Sequence, residues 1–125
     1  MKKVVSTNTA PGAIGPYSQG IQMGNMFFFS GQIPLHPETG EMAVGIEEQT
    51  KQSLENVKAL LHSQGLGFED VIKTTVFLDS MDDFVKVNEI YATYFVEPFP
   101  ARSAVEVAKL PRGALIEVEV IAGKQ

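Results

Sequence analysis

The chain has 125 residues and no cysteine, which excludes a disulfide framework and a thiol nucleophile. Histidine is nearly as scarce. His36 lies in a Pro-flanked loop and His62 near a predicted helix end, with no ligand spacing between them. A metal site needs three or four ligands placed together, and the chain has neither an H-x-x-x-H nor an H-E pattern. It also lacks a G-x-G-x-x-G turn and a phosphate loop. Long apolar runs are missing. The longest strongly apolar run, Met26 to Phe29, is far short of the roughly 20 residues of a membrane span. Lys2 and Lys3 are not followed by an apolar h-region, so no signal peptide is expected. The ten Lys and Arg are scattered among fifteen Asp and Glu, for a net charge of -5 and a pI of about 4.9. A nucleic-acid groove needs a concentrated basic face. The expectation is a cytoplasmic protein with neither membrane nor nucleic acid as partner.

What is present fits one domain, residues 1–125, able to bury roughly two-thirds of its unfolded surface. Its 44% apolar and 20% charged residues are ordinary for a globular protein. Val4 and Val5 suggest a short first strand. Tyr17 to Met23 and Met26 to Phe29 flank Gly24-Asn25, a plausible hairpin turn because both residues tolerate positive φ. The triple Phe at 27 to 29 reads as a strand buried on both faces. A helix should begin near Gly45, with Glu47 and Glu48 favoured in its first turn by the helix dipole. Ile46, Thr50, Leu54, Val57, Leu60 and Leu61 form its stripe, and Gly65 its cap. Val71 to Leu78 is a β-branched strand. Ser80 and Asp83 resemble a capping box. The helix behind it carries Phe84, Val87, Tyr91, Tyr94 and Phe95 on one face and ends at Pro98. Two strands complete the chain. This order predicts an α+β domain, a mixed sheet with two helices on one face.

The stretch PARSAVEVAKLPRGALIEVEVIA, from Pro100 to Ala122, is the most informative. It reads as two strands joined across Pro111, Arg112 and Gly113, with Arg102 and Glu117 among apolar neighbours. A guanidinium matches a carboxylate with two parallel hydrogen bonds, and a carboxylate among strand residues can accept a proton or orient a water. A hairpin register puts Glu117 opposite Ala108. Six residues at about 3.3 Å each then hold it roughly 20 Å from Arg102, so a common site would need a second copy of the chain. From spacing alone, Arg102 reads first as an edge-strand arginine paired with Glu106 or with a subunit neighbour, and Glu119 fits the description of Glu117 as well.

Several segments in order resemble the RidA/YjgF family of reactive intermediate (enamine/imine) deaminases. They are APGAIGPYSQG, NMFFFSGQIPL, KTTVF, VNEIY, PARSAVEVAKLP and IEVEVIA, which together run along nearly the whole chain. The resemblance implies a chorismate-mutase-like fold and a homotrimer with sites between neighbouring subunits. It implies that Arg102 binds the substrate carboxylate and that Glu117, the first Glu of IEVE, positions the attacking water. Tyr17, Ser30, Gly31 and Asn88 fill the remaining pocket positions. Members commonly carry cysteine in PARSCVEV, where this chain has Ala104. No mechanism here uses a thiol, but the backbone carbonyl of residue 104 remains to hold a water. The segment YFVEPFPARS is also shorter than in comparable members.

The implied activity is hydrolysis of small 2-imino acids, 2-iminobutanoate and 2-iminopropanoate, to 2-keto acids and ammonia. The imines would come from pyridoxal-phosphate dehydratases, and no cofactor or metal is expected on this chain. The alternative is a regulatory module that binds small carboxylates without turnover. The ribonuclease or translation-inhibitor activity of some relatives is disfavoured by the acidic pI. Chorismate mutase chemistry rests on shared fold alone, and its dicarboxylate asks for more cations than Arg102 supplies.

Overall fold

In the computed structural model, which describes residues 1–125, the periodic segments form six strands and two helices. In chain order they are β1 (Lys3–Val5), β2 (Gly20–Met23), β3 (Met26–Phe29), α1 (Ile46–Ser63), β4 (Val71–Leu78), α2 (Phe84–Tyr91), β5 (Ala101–Glu106) and β6 (Ile116–Gly123). The sheet order is β1-β2-β3-β6-β4-β5. β4 and β5 are parallel and every other pair is antiparallel. The exception has a cause, because α2 carries the chain back so that β5 starts from the same end as β4.

Side-chain alternation decides which face the helices cover. Val71, Thr74, Val76 and Leu78 of β4 and Ile116, Val118, Val120 and Ala122 of β6 all point inward and are buried. Leu54, Val57, Leu60 and Leu61 of α1 and Val87 and Tyr91 of α2 close over them in one core. Each Val, Leu or Ile among them contributes about 1.5–3 kcal/mol by leaving water. α1 stops in a Schellman motif: Leu66 N–H donates to the Leu61 carbonyl and Gly65 N–H to that of His62. Gly65 has φ 71, which suits a residue without Cβ. Gly24 and Asn25 form the two-residue turn between Met23 and Met26.

Four expectations are corrected. The triple Phe is not buried on both faces. Phe27 and Phe29 enter the core, whereas Phe28 alternates onto the helix-free face and is 45% exposed. The last two strands are not a hairpin, because β4 lies between β5 and β6 and pairs with both. α2 ends at Tyr91, well before Pro98. There the Thr93 hydroxyl takes the Ile90 carbonyl at 2.6 Å and competes with the helical ladder. The capping box at Ser80 is half made: its Oγ accepts from Asp82 N–H at 3.2 Å, but Asp83 makes no return bond.

Candidate functional site

Arg102 lies on β5, level with Thr74 of β4 and through it with Val120 of β6. Both neighbours point to the helix-covered face, so Arg102 does too. Its guanidinium sits 5.3 Å from the centroid of Phe84 and 4.8 Å from that of Tyr91. Both rings present their negative faces to the cation. Its Nη1 donates to Asn88 Oδ1 at 2.7 Å. Phe84, Asn88 and Tyr91 are residues i, i+4 and i+7 of α2 and therefore share one face. The Tyr91 hydroxyl pairs with Thr74 Oγ1 at 2.9 Å, and burial holds its phenol above the usual range. Glu106 is not the partner of Arg102; its carboxylate accepts from Met81 N–H. The guanidinium opens onto a groove of about 470 Å³, lined also by Ala92, Phe99 and Pro100. No anionic side chain lines it, so the free donors suit a carboxylate.

Glu117 lies on the other face of the sheet, level with Phe77 of β4 and Val105 of β5. The chain leaving β3 shapes its surroundings. Phe28 pairs with Ile121 and Gln32 bridges Val118. Residues 29–31 thus oppose only residues 119 and 120, a β-bulge of one residue. The bulge brings Gly31 under the Glu117 carboxyl, whose Cδ lies 2.8 Å from where a Cβ on Gly31 would stand. Burial, and then the neighbouring Glu119 charge, raise the Glu117 pKa above the usual carboxylate value. Glu119, half-buried like Glu117, lines a second groove of about 470 Å³ with Tyr17, Ser18, Phe28 and Ser30. Tyr17 is more than half exposed there. The Ser30 hydroxyl donates to the Ser18 carbonyl at 2.6 Å, so it braces the groove wall.

On one chain, Gly31 and Glu117 lie together on the helix-free face, Tyr17 and Ser30 line the groove of Glu119 there, and Arg102 with Asn88 lies on the helix-covered face. Arg102 and Glu117 are offset by three residues across two strand spacings, roughly 14 Å by strand geometry. Their side chains also diverge. The two residues are thus apart, by less than the roughly 20 Å of a hairpin, and the inserted β4 and the opposite faces separate them, not a hairpin register.

Known proteins share this fold. The family profile described as Endoribonuclease L-PSP matches residues 7–124. A RutC family protein of Pyrococcus horikoshii is 56% identical over the full length of both chains. The 2-iminobutanoate/2-iminopropanoate deaminase of Escherichia coli K12 is 50% identical over 98% of each chain. The crystal structure of E. coli TdcF with bound serine superposes with a TM-score of 0.94 at 44% identity, covering 98% of this chain and 99% of that one. The chain belongs to the RidA/YjgF family.

Within this RidA/YjgF chain, Ala104 is half-buried and packs against the core. Val107 N–H donates to the Leu78 carbonyl. By the alternation of the parallel ladder, the backbone groups of Ser103 and Val105 then face β4. Those of Arg102, Ala104 and Glu106 point outward along an open sheet edge. The Ala104 carbonyl is thus free in this chain, whatever side chain the position carries. The sequence places Phe84 and Tyr91 on one apolar face of the second helix and does not show their place under the guanidinium. The available signal was the i, i+4, i+7 spacing that they share with Asn88.

Proposed function

We propose that this chain hydrolyses reactive 2-imino acids and their enamine tautomers, 2-iminobutanoate and 2-iminopropanoate among them. The products are 2-keto acids and ammonia, and the site is completed by a second copy of the chain. One observation carries the reading: a guanidinium pre-set for a carboxylate and a half-buried carboxyl of raised proton affinity occupy opposite faces of one sheet. β5 also presents an unpaired edge beside Arg102, of the kind that a second chain covers. The deaminase name of the E. coli relative supports the reaction, and serine bound to TdcF supports an amino-acid-like ligand. The second copy is read as part of a homotrimer, consistent with the family resemblance.

Arg102 would take the substrate carboxylate in a two-point contact, with Asn88 and the two rings fixing the plane of the fork. Orientation of the imine carbon against a held water replaces a bimolecular encounter in solution. Glu117 of the neighbouring copy would take a proton from that water as its oxygen bonds to the imine carbon. The same proton passes to the nitrogen, giving a carbinolamine. The hydroxyl proton then follows by the same route, the C–N bond breaks, and ammonia leaves the keto acid. The outward carbonyl of Ala104 supplies a second acceptor for the water.

The test is hydrolysis of 2-iminobutanoate generated in place by threonine dehydratase and competed against semicarbazide trapping. The wild type should hasten keto-acid release, and Arg102→Ala should lose most of the acceleration. No acceleration by the wild type would leave a carboxylate-binding module without turnover.

A further inference from the structure

Gly31 has no conformational need to be glycine, because its φ lies outside the left-handed region. Its need is for space. A Cβ at position 31 would overlap Glu117 Oε2 and stand 2.8 Å from Cδ and 3.0 Å from Cγ. Those contacts are closer than bonded neighbours aside, real side chains make. The glycine is also held rigidly. The buried Gln32 amide donates to the Ser30 carbonyl at 3.1 Å, and Gln32 exchanges both backbone hydrogen bonds with Val118, at 2.8 and 3.1 Å. Ser30 N–H is tied to the Gln19 carbonyl at 2.9 Å.

We infer that Gly31 is a positioning residue: its missing side chain is the seat of the Glu117 carboxyl, and the bulge at residues 29–31 fixes that seat against β6. The inference rests on the reading of Glu117 as the group that handles the water. A methyl at position 31 meets the far end of a flexible side chain. Glu117 therefore swings off its seat toward solvent while the fold survives. Of the other charged groups on this face, Glu119 shares the strand, Lys2 lines the same groove as Glu119, and Lys73 on β4 is engaged with Ser103 Oγ at 2.9 Å. Residues 30–32 carry none.

The experiment compares Gly31→Ala, Glu117→Gln, Glu117→Ala and the Gly31→Ala/Glu117→Ala double variant. Three quantities are read: 2-iminobutanoate turnover, 2-oxobutanoate binding by calorimetry, and the Glu117 carboxyl titration by carbon NMR. Gly31→Ala should lose about 100-fold in kcat, the lower range for a positioned proton-transfer group. Its affinity for 2-oxobutanoate, carried by Arg102, should fall by no more than about tenfold. Its Glu117 should titrate at lower pH than in the wild type, because the carboxyl regains water. The double variant should melt with Glu117→Ala, since the methyl then fills vacated space. Wild-type kcat in Gly31→Ala alongside an inactive Glu117→Gln would overturn the inference alone. So would a double variant that melts well below Glu117→Ala, because the space would then serve the fold. Full activity in Glu117→Gln would instead remove the reading beneath it.

Discussion

Glu117 and Glu119 stand two residues apart on the same face of β6, yet only Glu117 is packed against a glycine. Burial of the carboxyl, with the Glu119 charge added, raises its pKa. A carboxyl whose folded value exceeds the unfolded one gives stability that is fully present below the unfolded value, about 4.3. That stability is lost as pH rises through the folded value. Glu117→Gln should therefore melt higher than the wild type at pH 7, with the advantage gone near pH 4. Thermal melts at the two pH values check this, and an equal advantage at both would assign the gain to something other than charge. Asn88 makes a second prediction at this scale. Its Oδ1 is occupied by the guanidinium, so Asn88→Ala should raise KM about tenfold, the scale of one lost hydrogen bond to a charged group. Steady-state kinetics should show kcat little changed. At this scale local spacing singled out neither Arg102 nor one of the two glutamates, because strand alternation treats residues 117 and 119 alike, and only the family resemblance pointed to Arg102 and Glu117. What separates the two glutamates is the bulge at Gly31, made by a segment about 90 residues away in the chain.

At the scale of elements, the helices and strands were legible wherever local chemistry was unopposed. β4 spans Val71–Leu78 as its β-branched residues dictate, and α1 starts after Gly45 and stops at the Gly65 turn. Gly65→Ala should cost about 1 kcal/mol, since only glycine takes φ 71 without a Cβ penalty. Urea unfolding measures it, and no loss would mean that the cap is dispensable. Reading failed where two local rules competed. The apolar stripe from Phe84 to Phe95 promises a longer helix, but Thr93 turns its hydroxyl to the Ile90 carbonyl. Phe95 then enters the core from a turn and stacks on Tyr91 at 4.2 Å. The run Phe27-Phe28-Phe29 misleads for the opposite reason. Continuous apolarity suggests burial on both faces, but the helices cover one, and Phe28 is left outside.

On the molecular scale, the separation of Arg102 from Glu117 makes the strongest prediction. Arg102→Ala and Glu117→Gln chains should each be nearly inactive alone. Mixed after dissociation and reassembly, they should recover part of the wild-type rate, because some interfaces pair an intact Arg102 with an intact Glu117. Turnover after mixing is the measurement, and no recovery would reject a shared site. No helix of this chain is long and apolar enough to cross a membrane.

The order of strands and helices and the burial of most alternating residues follow from the chain alone. They depend on neighbours within about a dozen residues, where periodicity, caps and turn chemistry act. The tertiary structure alone decided that β4 enters between β5 and β6, that Phe28 is exposed, and that Glu117 rather than Glu119 is seated. Each of these depends on pairings between distant segments, whose register is set by how the two helices and the sheet bury their shared face.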